Sequence, residues 1–226
     1  MKLFNIIMFN LQIIFGVASF FVSIYALKYD STPRYLKYFI GYTLVAFLLV
    51  VPGFFIFNFM KNWRKLLDCV YLISTVYHYI FLGTFIIAFT NGPKKRWIYL
   101  VAFIFLSILI YSIVIEYSNE HSKMPISIAS FGLIVLSLIY FYRLLKYPSN
   151  VNLINLPVFW IITGVFLSMG LQFPFSATFD SFYKKVSFEK YSFLYGIITF
   201  SYVILHAFII KSYLCSIKNS KKLLYS

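Results

Sequence analysis

LLDCVYLISTVYHYIFLGTFIIAFT, residues 66–90, decides how the whole chain is read. Its one charged residue, Asp68, stands near the start, and everything after it is apolar, hydroxylic or imidazole. A hydrocarbon core about 30 Å thick is crossed by roughly 20 helical residues. A helix satisfies its own backbone hydrogen bonds, which lipid demands and irregular chain cannot supply. Six further runs have the same character: Phe4–Leu27, Tyr38–Met60, Trp97–Glu116, Pro125–Leu145, Pro157–Ala177 and Leu194–Leu214. The expected fold is therefore all-α: a polytopic membrane protein, one seven-transmembrane-helix bundle spanning residues 1–226.

Composition points the same way. Apolar residues are 62% and charged residues 12% of the chain, against about 25% charged in ordinary soluble domains. No connection is long enough to fold alone; the longest non-apolar stretch is Thr178–Phe193. The net charge of +14 does not indicate nucleic acid, because the bases are spread over every loop instead of forming one patch. Abundant Phe, Ile, Tyr, Asn and Lys also fit an AT-rich coding bias. Cys69 and Cys215 fall at opposite membrane faces in the topology below, and a disulfide needs Cα atoms within about 7 Å, so two free thiols are expected. Lys2 followed by an apolar run resembles a signal peptide, but the run is twice the length of a signal core and lacks a small-residue cleavage site; it is read as a retained helix.

Lysine and arginine set the orientation. One side would carry Lys2, Lys61, Arg64, Lys65, Lys123, Lys184, Lys185 and Lys190. The other would carry Lys28, Arg34, Lys37, Lys94, Lys95, Arg96, Arg143, Lys146, Lys211, Lys218, Lys221 and Lys222. The richer side belongs in the cytoplasm, which puts the N-terminus outside and the C-terminus inside. Trp63 and Trp97 stand at loop–helix junctions, where amphipathic rings favour the headgroup level. Trp160 lies deeper in its helix and is a weaker anchor.

Polar groups in membrane helices are costly and usually face the bundle interior. Asp68, Tyr71, Thr75 and His78 share one face of the third span, and Tyr195, Thr199, Tyr202 and His206 one face of the seventh. Asn5, Gln12, Gly16, Ser19 and Ser23 form a stripe on the first, and Ser127, Ser130 and Ser137 a weaker one on the fifth. For the serine and glycine stripes, and for the Gly164/Ser168 pair of the sixth span, packing is the expected role. For the two stripes that carry a mid-membrane histidine, packing and function both stand. His78 lies about 15 Å below Asp68 at about 1.5 Å per residue. With Glu116, Gln172, Asn58, Gln12 and Tyr195 also in the outer half, the expectation is a polar cup open to the outside above a more apolar inner half. Asp68 also has a plain structural account as a partner of Lys65 on its own helix. His78 and His206 could serve as packed core groups or as a proton-sensitive pair, histidine being the side chain that titrates near pH 6.5. Pro52-Gly53 predicts a kink in the second span.

Several chemistries lack their residues. The only lysine in the seventh span is Lys211 at its edge, which excludes a retinal Schiff base. Four residues after His206 stands Ile210, and four after His78 stands Leu82, so the helical spacing of a zinc site is missing. Asp68 and Glu116 lie too near the surface for deep intramembrane acid–base work. No phosphate loop or catalytic triad order is seen, and no convincing internal repeat marks a transporter. No catalytic residue, metal or cofactor is assigned.

Tyr77-His78-Tyr79, Leu144-Leu145-Lys146 and Leu156-Pro157-Val158-Phe159-Trp160-Ile161, with the small residue Gly164 beyond, give the stretch from Asp68 to about Gln172 a likeness. It resembles a group of small, uncharacterised seven-helix integral membrane proteins of Bacteroidetes, often encoded beside sensor kinases. The resemblance implies a bacterial inner-membrane location and a signalling context, and no activity. Together these readings give the functional expectation: a non-enzymatic sensor or receptor-like protein. Its ligand-binding candidates are Asp68, Tyr71, Thr75, His78, Glu116, Gln172, Tyr195, Tyr202 and His206. Its partners would be the lipid bilayer and a cytoplasmic signalling protein such as a sensor kinase. A small-solute transporter and an intramembrane lipid-modifying enzyme using both histidines are the alternatives.

Overall fold

A computed structural model describes the backbone of all residues except 1, 30–32, 60–63, 91–94, 117–123, 148–151, 184–187 and 225–226, and side chains outside 2–6, 9, 49–59, 64–71, 116, 179–183, 188–195 and 220–224. Seven α-helices account for it: α1 Lys2–Ala26, α2 Arg34–Phe59, α3 Arg64–Phe89, α4 Lys95–Glu116, α5 Met124–Lys146, α6 Pro157–Tyr183 and α7 Phe188–Leu224. A single 3₁₀ turn, Leu153–Asn155, precedes α6. Prolines mark helix ends, where a missing N–H costs nothing. Pro157 is the first residue of α6 and Pro125 the second of α5, while the Pro33 carbonyl accepts from Leu36 and Lys37 N–H as α2 begins. Pro174 sits within α6, and the helix continues through it.

Helix number agrees with the apolar runs, but helix ends do not. The stretch expected as a connection, Thr178–Phe193, is mostly helical: α6 runs on to Tyr183 and α7 starts at Phe188. Likewise α7 continues ten residues past Leu214. Hydropathy marks where a helix leaves hydrocarbon, not where its hydrogen-bond ladder stops, and residues 215–226 contain no Gly or Pro to stop it. The kink expected at Pro52-Gly53 falls on residues whose side chains lie outside the described set, within a continuous α2.

The helices form a closed ring in the order α1, α2, α3, α5, α6, α7, with α7 returning to α1. The most extensive pairings are α6 with α7 and α1 with α7. The remaining helix, α4, lies outside the α3/α5 seam. Only 17% of its apolar window is buried, against 56% for α5. Tyr79 fastens it to α3 by donating to the Ala102 carbonyl at 2.9 Å. The core is aromatic between α2 and α3, where Phe39 meets Tyr42, Phe81 and Phe85 at ring distances of 4.9, 5.4 and 5.0 Å. Aliphatic residues of α6 and α7, among them Ile161, Ile162, Val165, Leu205 and Ile209, belong to the same core.

Large apolar side chains project outward from every helix, among them Phe21, Tyr38, Ile73, Phe103, Leu138, Leu167 and Leu214. A soluble monomer rarely exposes a contiguous apolar surface of this extent; hydrocarbon accommodates it. Among the described residues, five helices are long and apolar enough to cross a membrane: Leu72–Phe89, Lys95–Ile115, Met124–Lys146, Pro157–Thr178 and Gly196–Asn219, with a shorter apolar stretch at Asn10–Ala26. The protein is a multi-pass membrane protein in contact with the bilayer.

The basic end of the bundle is built for an interface. Lys28 stands over Tyr25 at 5.7 Å, and Lys146 over Tyr142 and Tyr147 at 5.8 and 5.9 Å. Trp97 is 65% exposed at the start of α4. Such pairs place the ring among headgroups and the ammonium in water.

Candidate functional site

The polar stripes turn inward, as their helical phase predicts. Ser19 and Ser23 of α1, Thr75 and His78 of α3, Ser127, Ser130 and Ser137 of α5, and Thr199 and His206 of α7 are all buried. Most of the described hydroxyls return their proton to their own helix. Ser23, Ser137 and Ser201 donate to Phe20, Leu133 and Ile198 carbonyls at 2.6–2.8 Å. This is how a hydroxyl is tolerated in hydrocarbon without a partner helix. Two tyrosine hydroxyls reach another helix instead, Tyr79 to the Ala102 carbonyl and Tyr213 to the Leu36 carbonyl.

His78 is fixed by its own helix. Its Nδ1 lies 2.8 Å from the Ser74 carbonyl, and a carbonyl only accepts, so Nδ1 carries the proton. In the neutral ring the Nε2 lone pair is then available. The imidazole is held edge-on between Tyr42 of α2 and Tyr202 of α7, at ring distances of 5.5 and 5.8 Å. His206, one turn beyond Tyr202, turns instead toward α1. Its Nδ1 lies 2.9 Å from Ser19 Oγ. The Ser19 proton goes to the Gly16 carbonyl at 2.8 Å, so Ser19 accepts and His206 donates. The approach does not require glycine at residue 16, since a Cβ added there would stand 3.9 Å from His206 Nε2, an ordinary contact. Each histidine thus takes the same Nδ1–H form through a different neighbour.

Gln172 of α6 completes the group. It is 1% exposed, and its Nε2 donates to Tyr202 Oη over a long 3.4 Å. Its Oε1 is buried with no hydrogen-bond partner, as is Tyr42 Oη. Gln172 and Tyr202 face a small cavity where α3, α5, α6 and α7 meet, lined also by Thr75, His78, Ser130 and Met169. The cavity measures about 10 Å³, about enough for one water.

Of the nine candidates, Thr75, His78, Gln172 and Tyr202 converge on this cavity. His206 stands beside them but is directed to Ser19. Asp68, Tyr71, Glu116 and Tyr195 lie outside the described side chains, as does Cys69; Cys215 is a free thiol. Ser130 belongs to a stripe assigned to packing, yet it lines the cavity. Tyr42 is not one of the nine candidates, and its place beside His78 follows from the packing of α2 on α3. Trp160 is more than a weak anchor, donating from Nε1 to the Ile154 carbonyl at 2.9 Å. Searches with this chain match no family model, no curated protein and no solved structure.

Proposed function

We propose that the protein crosses a bacterial inner membrane seven times, N-terminus outside, and acts as a non-enzymatic sensor or receptor-like protein. Its cup is bordered by Asp68, Tyr71, Glu116, Gln172 and Tyr195, with Thr75, His78 and Tyr202 at its floor. The basic inner loops and the tail Lys218–Lys222 meet anionic lipid or a cytoplasmic signalling partner such as a sensor kinase. The observation that carries this reading is convergence. Four residues from three helices, Thr75, His78 and Tyr202 picked out by helical phase and Gln172 by depth, meet at one pocket inside the bundle. A floor with room for about one water favours a receptor over a carrier of solute in this conformation. Two imidazoles given the same tautomer by separate neighbours are suited to a fixed recognition surface.

Thiol accessibility tests this. With Cys69 and Cys215 changed to serine, Tyr195→Cys and Thr75→Cys are each exposed to a membrane-impermeant charged thiol reagent. Right-side-out vesicles present one face of the protein, inside-out vesicles the other. We expect labelling from the outer face only, fast at 195 and at least tenfold slower at 75. Labelling of Thr75→Cys from the inner face would favour the transporter. Failure of both positions to label from outside would remove the cup.

A further inference from the structure

The cavity between α3, α5, α6 and α7 has a chemistry that its walls leave incomplete. Gln172 can satisfy only one end of its amide through Tyr202. Turning the amide over does not help, because it would pair Oε1 with the tyrosine hydroxyl and leave Nε2 unpaired instead. Either way one polar end of a 1% exposed glutamine remains beside a space of about 10 Å³. An amide end left unpaired in an apolar medium is costly, and a native fold rarely leaves one so. The same space is bordered by Ser130, whose hydroxyl both gives and accepts. It is bordered too by His78, whose ring has one nitrogen engaged at Ser74 and the other free to accept in the neutral form. The lining therefore offers two to three hydrogen-bonding groups to a molecule no larger than water.

We propose that this cavity is a single-water site, in which one long-lived water bridges the unpaired amide end of Gln172 to the Ser130 and His78 side of the pocket. The water is a structural ligand. It joins α6 to α3 and α5 at a pocket whose walls also include the apolar Leu133 and Met169. The space of about 10 Å³ suits one water, and the mixed lining suits a molecule that both donates and accepts. This site is independent of whether the cup above it binds a ligand.

Magnetic relaxation dispersion of water nuclei on the purified full-length protein in nanodiscs counts long-lived internal waters. Gln172→Met keeps the length of the side chain and removes both polar ends. The wild type should show one more long-lived water than Gln172→Met, and the variant should melt several degrees lower. Ala129→Leu, which fills the cavity from α5, should lose the same water. Equal counts in wild type and Gln172→Met would overturn the proposal, as would a higher melting temperature for Gln172→Met, since relief of an orphaned amide beside a dry void predicts that rise. Should Ala129→Leu fail to fold, the Gln172→Met comparison decides alone.

Discussion

Gly164→Leu is expected to prevent the bundle from assembling, and even Gly164→Ala to lower its melting temperature by roughly 5–10 °C, taking about 2–4 °C per kcal/mol for a chain of this size. The reason is the approach of α6 to α7, the most extensively packed pair. A Cβ at residue 164 would lie 2.5 Å from the Phe208 Cβ and 3.2 Å from its Cγ. These atoms are the root of a side chain, so no rotamer change relieves the clash and the two helices must separate. Overpacking of this kind costs about 1–3 kcal/mol for a methyl or two, and leucine adds four carbons. Apolar side chains gain nothing by leaving lipid for the bundle, so contact at van der Waals distance is what holds such helices together. Gly170, less than two turns along the same helix, is exposed, and a Cβ added there would meet nothing within 4 Å. Gly170→Ala should be neutral or gain up to about 1 kcal/mol of helix propensity. Thermal unfolding in detergent, read by size-exclusion recovery, checks the pair. Equal melting of Gly164→Ala and wild type would mean that α6 and α7 do not touch there.

Trp160→Ala should be the other severe substitution, at about 3 kcal/mol, the low end for an aromatic truncation because the ring is only half-buried. The indole donates to the Ile154 carbonyl at 2.9 Å, packs at 5.9 Å from the Phe208 ring and carries Lys211 Nζ 5.3 Å above it. It ties the 3₁₀ turn to both α6 and α7. Asn219 reinforces the same place by donating to the Asn155 carbonyl at 2.8 Å, and the Cys215 thiol points at the Ile154 carbonyl at 3.6 Å. Trp160→Phe keeps an aromatic ring and loses the hydrogen bond, for about 1 kcal/mol. Loss of the anchor should be local before it is global: protease cleavage between α5 and α6 should rise at least tenfold in Trp160→Ala and little in Trp160→Phe. Unchanged cleavage in Trp160→Ala would show that the turn is held by something else.

These two residues also mark how far the amino-acid sequence reaches. Gly164 is readable as a small residue one turn from Ser168, and its role in close packing follows from that pattern. Trp160 is not readable in the same way, because position within a helix does not reveal that the chain just ahead of it folds back to meet the indole. Helical phase locates Thr75, His78, Tyr202 and His206 on inward faces, since in lipid a polar residue has little choice of direction. Phase cannot say which inward faces meet. That His206 turns to Ser19 depends on ring closure through α7 and α1, a tertiary fact, whereas His78 finds Ser74 on its own helix. Tyr42 and Ser130 escape a sequence reading as site residues for the same reason. Helices overrun their apolar runs because polar residues such as Lys218 and Asn219 continue a helix as well as apolar ones do. The size of the pocket is the least legible property: residue types suggest an open cup, while the pocket lined by Thr75, His78, Gln172 and Tyr202 has room for about one water.

Seven crossings of the bilayer, with the N-terminus outside, underlie the proposed receptor. Paired reporter fusions test them most directly, one reporter active only in the cytoplasm and one only outside it, joined after Leu27, after residue 62, after residue 92, after residue 121, after residue 149, after residue 186 and at Ser226. Strict alternation is expected, with cytoplasmic activity after Leu27, 92 and 149 and at Ser226, and external activity after 62, 121 and 186. Two successive junctions reporting the same side, or external activity at Ser226, would contradict it.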